Sequence, residues 1–316
     1  MATTPLSIAL LLAASTASAA ITIDTVLVGD AGNANDSTGF GAVSYDYHIG
    51  THEVTNAQYA SFLNAAAASD PNGLYNSNMG SNARGGISQS VTSGSFTYST
   101  KANMADKPVN YVSFWDAARF TNWLTSGDTE NGVYVLTPTG ISNNTITRDT
   151  TAWNAGGVAI ASENEWYKAA YYDGSGDYYL FPTQSNTAPT AVAPESATES
   201  NNANYNSAVG SVTIVGAYQN SGSYYGTFDQ GGNVWEWNDA IVSTSNRGRR
   251  GASFNINVFS LQSSLRNDFY PADGNSSIGF RVSSLAPIPE PSAYGAIFGI
   301  VGLATAIFFR RKRRRG

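Results

Sequence analysis

The chain has no cysteine and only two histidines, His48 and His52. The first absence excludes a disulfide framework, thiolate-held zinc or iron–sulfur clusters and any thiol nucleophile. The second excludes a three-histidine metal centre within one copy of the chain. Charge is also scarce: Asp, Glu, Lys and Arg make up 13% of 316 residues, about half the usual share of roughly 25%. Their place is taken by 31 glycines, 18 tyrosines and many Asn, Ser and Thr. Such a composition favours loops and short strands over long charged helices. With 42% hydrophobic and 12% aromatic residues, there is material for a substantial core, and wholesale disorder is excluded.

Long apolar runs occur only at the two ends. Residues 5–14 read PLSIALLLAA and precede the small-x-small tripeptide Ala17-Ser18-Ala19. This pattern predicts a signal peptide over residues 1–19, read by the Sec translocon; a buried N-terminal helix is the alternative. Residues 292–309 are uncharged and, as a helix, would span ~27 Å, enough for a bilayer core. Arg310-Arg311-Lys312-Arg313-Arg314-Arg315 follows directly, and a basic cluster behind an apolar span keeps the tail cytoplasmic. Pro289-Glu290-Pro291 stands just before the span. The three parts in this order resemble the PEP-CTERM sorting signal of Gram-negative bacteria, here residues 285–316. The resemblance implies transient inner-membrane anchoring, processing by an exosortase, and delivery to the cell surface or extracellular matrix. An ordinary single-span anchor differs from this only in whether the tail survives.

Without these ends, 11 basic and 22 acidic side chains remain, a net charge of −11. That balance argues against nucleic acid or an anionic membrane as partner of the body and suits a soluble exported domain that holds cations.

Within residues 21–284 three helices can be placed. Thr55-Asn56-Ala57-Gln58 is a capping box, followed by Tyr59, Phe62, Leu63 and Ala66 on one apolar face. Ser113 with Asp116 opens a second helix striped by Ala117, Phe120 and Leu124; Ser162 with Glu165 opens a third that carries Trp166, Ala169 and Ala170. Val133-Tyr134-Val135-Leu136, Val158-Ala159-Ile160 and Val212-Thr213-Ile214-Val215 read as short strands. Residues 69–105 and 183–211 are polar and read as long surface loops of one domain. Gly50 between His48 and His52 argues for strand or turn there, and neither histidine is expected to ligate. Arg247, Arg249 and Arg250 read as an exposed strand edge, with an anion-binding cluster as the alternative.

Six segments then occur together in order: Glu53-Val54-Thr55-Asn56-Ala57-Gln58-Tyr59, Pro108-Val109-Asn110-Tyr111-Val112-Ser113, Ser162-Glu163-Asn164-Glu165-Trp166, Gly232-Asn233-Val234-Trp235-Glu236-Trp237, Arg250-Gly251-Ala252-Ser253-Phe254 and Gly279-Phe280-Arg281-Val282. Together they resemble the formylglycine-generating enzyme (sulfatase-modifying factor) family over about residues 40–283. The resemblance implies a compact α+β fold related to C-type lectins, with little regular secondary structure; the terminal apolar helix is additional. It also implies where the chemistry would sit. The family's two copper-holding cysteines align at about Ile256 and Leu261, neither of which can hold copper or carry an electron. Formylglycine generation and a copper cofactor are therefore not expected, nor is the family's three-His iron chemistry. A structural calcium site of the family maps to the side chains of Asp229 and Glu236 and the carbonyls of Gly232 and Val234. A hard cation takes such oxygen donors; hydrogen bonding of Glu236 beneath two core tryptophans is the alternative. A second family calcium site, starting at Asn204-Tyr205, lacks its downstream carboxylate. Arg281 is expected to need a buried carboxylate or carbonyl partner.

Three functions stay open on this reading. One is a non-catalytic exported module whose groove takes an extracellular polysaccharide or a peptide. Another is an enzyme with cysteine-independent chemistry drawing on Asp46, Glu53, Glu163, Glu165, Asp229 or Asp268. The third is a purely structural surface protein.

Overall fold

The computed structural model describes residues 21–288. The predicted signal peptide, Pro289-Glu290-Pro291, the apolar run and the Arg-rich tail lie outside the described residues. No helix of the described residues is long and apolar enough to cross a membrane.

The three predicted helices form where their caps put them. Helix α1 (Asn56–Ala66) starts at Thr55, whose side chain accepts from the Gln58 amide while the Gln58 side chain returns to the Thr55 amide. Next come the short α2 (Asn78–Ser81) and then α3 (Phe114–Ser126), boxed by Ser113 and Asp116 and stopped by Gly127 in a left-handed conformation. Short α4 (Pro138–Ser142) and α5 (Thr150–Asn154) follow. Helix α6 (Glu163–Tyr171) is boxed by Ser162 and Glu165. α1 and α3 meet through aromatics: the Tyr59 and Phe120 rings stack at 5.9 Å, and Phe62 meets Phe120 edge-on at 5.3 Å.

Two four-stranded sheets organise the rest. The first is antiparallel, in the order β1 (Thr25–Val28), β2 (Tyr47–Gly50), β12 (Val282–Ser284), β5 (Ala159–Ile160). A hairpin, β3 (Ile87–Thr92) and β4 (Ser95–Thr100), stands apart and packs on α1. The pair β6 (Thr190–Ala191) and β7 (Asn202–Ala203) is parallel. The second large sheet runs β10 (Asn267–Phe269), β9 (Arg247–Arg250), β8 (Trp235–Ile241), β11 (Ile278–Phe280). Its β8–β11 pair is parallel. Helix α6 packs against β2 of the first sheet and β8 of the second. One core cluster runs from Ile21 to Ile288 and includes Trp235, Trp237, Phe280 and Val282, so the packed body continues through residues 285–288.

Two predicted strands are absent, for one reason. Val133, Tyr134 and Leu136 are buried but belong to no strand. The Asn122 side chain stands in for a neighbouring strand: its amide donates to the Tyr134 carbonyl at 2.7 Å and its oxygen accepts from the Tyr134 N–H at 2.9 Å. At Val212–Val215 the Thr213 N–H donates to Asn233 Oδ1 and the Val215 N–H to the Asp106 carbonyl, both at 2.9 Å. A satisfied backbone needs no ladder.

Residues 69–105 are not one surface loop. They contain α2 and the β3–β4 hairpin, closed by Ser93 and Gly94 at positive φ (52° and 82°), the primed turn that suits two-residue hairpins. Leu74, Met79, Ile87, Tyr98 and Met104 from this segment are buried. The arginines of β9 are not an exposed edge either. Arg247 is 0% and Arg250 1% exposed, and only Arg249 is half-buried.

Candidate functional site

The Gly232–Trp237 segment runs from a strained turn into β8. Asp229, Gly232 and Asn233 all have positive φ (61°, 94° and 56°). Gly232 also has no room for a side chain, since a Cβ there would meet the backbone oxygen of Asn204. The parallel β8–β11 register sets Glu236 beside Gly279, so Arg281, just beyond β11, reaches the Glu236 carboxylate. Arg281 donates from Nε to Oε2 at 2.5 Å and from NH2 to Oε1 at 2.7 Å. Trp166 Nε1 donates to the same Oε2 at 2.7 Å. The remaining guanidinium hydrogens meet the carbonyls of Gly50 and Phe228 at 2.9 and 2.8 Å. Both side chains of the pair are 0% exposed.

Two further carboxyls surround this pair. Glu53 accepts from Asn233 Nδ2 at 3.0 Å through Oε1, while its buried Oε2 has no partner. Burial, reinforced by Asp229 and Glu236, holds the Glu53 carboxyl well above the usual carboxylate range. Asp229 Oδ2 accepts the Gly216 N–H at 2.5 Å. Burial and the Glu236 charge push Asp229 up to about 6, against the pull of Gly216 and Arg281. Three carboxyls thus share one guanidinium.

This geometry bears directly on calcium. The donors Asp229, Glu236 and the carbonyls of Gly232 and Val234 are all hard oxygens, the kind Ca²⁺ takes. Glu236, however, is engaged by Arg281 and Trp166 through both oxygens. A bound cation would share Glu236 with the guanidinium and rely on Asp229, whose Oδ1 no described residue engages. Among the described residues no group of three or more His, Asp or Glu side chains is disposed to hold a metal.

Two other ion networks are structural. Glu165 receives Arg148 bidentately at 2.8 and 2.7 Å, together with the Ser162 amide, Tyr45 and Ser283. Burial alone would raise its pKa, but Arg148 and these donors prevail and bring it to about 2. Glu163 pairs with Arg250 at 2.8 Å and Arg266 at 2.7 Å. Arg250 also donates to the carbonyls of Ser263 and Leu265 and lies over Phe40 and Tyr167. Arg247 finds no carboxylate. Asn144 Oδ1 and the carbonyls of Ile146 and Asp239 satisfy it, and Phe114 and Trp115 flank it. These interior partners, distant in sequence, are why the arginine cluster is not a surface edge. The histidines are likewise built in. His48 sits in β2 beside Thr25, and the His52 ring stacks on Phe228 at 5.5 Å. Burial and the nearby Arg281 lower the His52 pKa to about 4.

Where the resemblance places copper ligands, Leu261 is fully buried and Ile256 packs on the core. A different region is open to solvent: a cleft of about 230 Å³ lined by Asn72, Asn76, Tyr111, Trp115, Asp116, Arg119 and neighbouring residues. It was not foreseen, because the 70s loop, the α3 N-terminus and the 270s loop that form it share no sequence pattern. Arg119 is bound bidentately by Glu130 at 2.7 and 3.2 Å. Asp116 Oδ2 accepts both the Ser113 amide (2.9 Å) and its hydroxyl (2.7 Å). Burial outweighs these bonds and pushes Asp116 up to about 6.

The pH dependence of stability follows. Asp116, Asp229 and Glu53 bind protons more tightly folded than unfolded, so they favour the fold below the ordinary carboxylate range. Asp116 and Asp229 lose that contribution as pH rises through about 6, and Glu53 loses its own as pH rises well above that range. Glu165 works the other way, its contribution vanishing as pH falls from about 4.5 to about 2. His52 opposes the first group, since stability it lends above 6.5 is lost as pH falls through about 4. Burial also raises Asp239 and lowers His48. The raised carboxyls outweigh the histidines, so the melting midpoint is expected to be highest at about pH 4 and to fall as the pH rises to about 6, with a shallower fall in Asp116→Asn. A midpoint that climbs steadily from about pH 4 to about pH 6 would contradict this assignment.

Comparison with known proteins agrees with the fold. Residues 28–285 match the Sulfatase-modifying factor enzyme 1-like domain (FGE-sulfatase). No curated protein matches the chain. The crystal structure of CarF superposes with a TM-score of 0.56 at 22% identity, covering 84% of this chain and 99% of that one. Treponema denticola variable protein 1 gives 0.48 at 20% identity, covering 84% and 93%. PvdO from Pseudomonas aeruginosa gives 0.47 at 16% identity, covering 84% and 92%. The match spans most of the sequence, and the six ordered segments, all of the second sheet and the Glu236–Arg281 pair fall within it: this chain belongs to the sulfatase-modifying factor enzyme 1-like (FGE-sulfatase) domain family.

Proposed function

We propose that the chain is an exported, non-catalytic binding module that keeps the family fold without the family's copper chemistry. The observation that carries this reading is the replacement of both redox positions by Ile256 and the buried Leu261 in a chain without any thiol. Copper-thiolate oxidation has no ligand and no electron donor here. What the molecule offers instead is the polar cleft over the α3 N-terminus.

Export belongs to the proposal through residues 1–19 and through Pro289-Glu290-Pro291, the apolar span and the Arg-rich tail. These make the Sec translocon, the membrane and an exosortase its transient partners and the cell surface or matrix its destination. Calcium belongs to it as a structural ion of the Asp229 loop, held by Asp229, Gly232 and Val234 with Glu236 shared. The competing enzyme reading is weaker, because Asp116 is the one carboxyl lining the cleft, whereas acid–base work on glycosides takes two.

The test is retention of the full-length chain on the extracellular polysaccharide matrix of the producing cells. Retention should exceed that of heat-denatured chain and saturate. Absence of saturable retention would remove the binding role and leave a structural surface protein.

A further inference from the structure

The cleft has a more specific chemistry than polarity alone. Two loops and the start of α3 fix its shape. Tyr111, at φ +59°, donates its N–H to the Asn275 carbonyl at 2.9 Å. The Phe114 N–H meets the Pro271 carbonyl at 3.0 Å. Gly274 lies so close that a Cβ there would stand 2.7 Å from the Tyr111 carbonyl carbon. A bulky aromatic in the left-handed region is strained, and such outliers gather at functional sites. Here the strain turns the Tyr111 backbone at the cleft wall.

The charged groups of the cleft are already neutralised or engaged. Glu130 grips Arg119 through both oxygens, and Asn72 Nδ2 adds a bond to the same carboxylate at 2.9 Å. An anionic ligand would have to displace Glu130 and would face Asp116. A cationic ligand would compete with Ser113, which already donates twice to Asp116.

Left over is a mixed set of donors and acceptors, all but one of them on uncharged side chains. No described residue engages Trp115 Nε1, the Tyr111 hydroxyl, Asp116 Oδ1, Asn72 Oδ1 or the Asn76 amide nitrogen, whereas Asn76 Oδ1 is used by the Asn78 N–H. Donors and acceptors interleaved beside two aromatic rings suit a ligand whose every polar group both donates and accepts, namely a hydroxyl-rich ring with C–H faces. The cleft's volume, about 230 Å³, lies below the roughly 300–1,000 Å³ of sites for drug-sized ligands. It therefore takes one ring and not a folded partner.

We infer that the cleft between the Asn72–Asn76 loop and the Tyr111–Arg119 segment binds one pyranose-type unit of a neutral saccharide. This rests on the binding-module reading and names the ligand class of its site.

The experiment is calorimetric titration of the full-length chain with cellobiose, lactose, mannobiose and N,N′-diacetylchitobiose, with digalacturonate as the charged control, beside the matrix-retention assay. The variants Asn72→Ala and Asn76→Ala change exposed or half-buried side chains that each give up one hydrogen bond, so the melting midpoint should shift only slightly. The expected result is saturable binding of at least one neutral disaccharide, with the dissociation constant raised tenfold or more in Asn76→Ala and little or no binding of digalacturonate. Tighter binding of digalacturonate, no binding of any neutral disaccharide, or binding indifferent to both variants overturns the inference. If the chain is nonetheless retained on the matrix, the binding-module reading stands and only the ligand class or its location falls. If matrix retention is absent as well, both fall.

Discussion

Replacing Arg281 with methionine is expected to destabilise the protein by about 3–5 kcal/mol, the range for removing one partner of a fully buried ion pair. The cost arises less from lost attraction than from what remains. Glu236 would be left buried with Trp166 Nε1 as its one donor, in a pocket that also holds the Glu53 and Asp229 carboxyls. The carbonyls of Gly50 and Phe228 would also lose their donors. Urea denaturation measures the effect. The double variant Arg281→Met/Glu236→Leu separates the two contributions: if stranded charge dominates, it should be more stable than Arg281→Met alone. A single variant costing under about 1 kcal/mol, or a double variant that is simply the sum of both losses, would mean the pair is not the keystone of the core.

Calcium gives the second large expected effect, and the two are linked. If the Asp229 loop takes Ca²⁺, the fold gains about 2.7 kcal/mol at a hundredfold excess over Kd, and Asp229→Ala abolishes the gain. Arg281 competes for Glu236, so Arg281→Met should bind calcium more tightly than the wild type, since coupling between two ligands of one group is reciprocal. Differential scanning calorimetry with calcium and with chelator reads all three proteins. A midpoint indifferent to calcium in every case would mean that the Asp229 loop holds no calcium.

The contrast between what was legible in the sequence and what was not has a physical cause. The three helices could be read because a capping box is local: Thr55 with Gln58, Ser113 with Asp116 and Ser162 with Glu165 each complete their bonds within four residues. The hairpin at residues 87–100 was hidden because its strands are built from Ser, Thr and Gln, with most positions half-buried or exposed. Val133–Leu136 had the composition of a strand but found an asparagine instead of a neighbour. The need of Arg281 for a buried anion could be read from its type. That Glu236 would be that anion depends on the parallel β8–β11 register, which no local pattern encodes. The same holds for Arg250 and Glu163, distant in sequence and joined by the fold. The cleft was illegible because only one of its walls, the start of α3, carries a local pattern; the other two are loops distant in sequence, and loops carry no period.

The position of β12 has a consequence in time as well as in space. Residues 282–284 form an inner strand of the first sheet, between β2 and β5, and Arg281 immediately before them completes the buried pair. Until that stretch has been synthesised, β2 and β5 have nothing between them and Glu236 has no counter-ion. A growing chain can therefore form its capped helices and the β3–β4 hairpin early, yet it cannot lock. Commitment to the folded state waits for the last strand, so a chain delivered from its N-terminus would stay threadable for nearly its whole length and close in one late step.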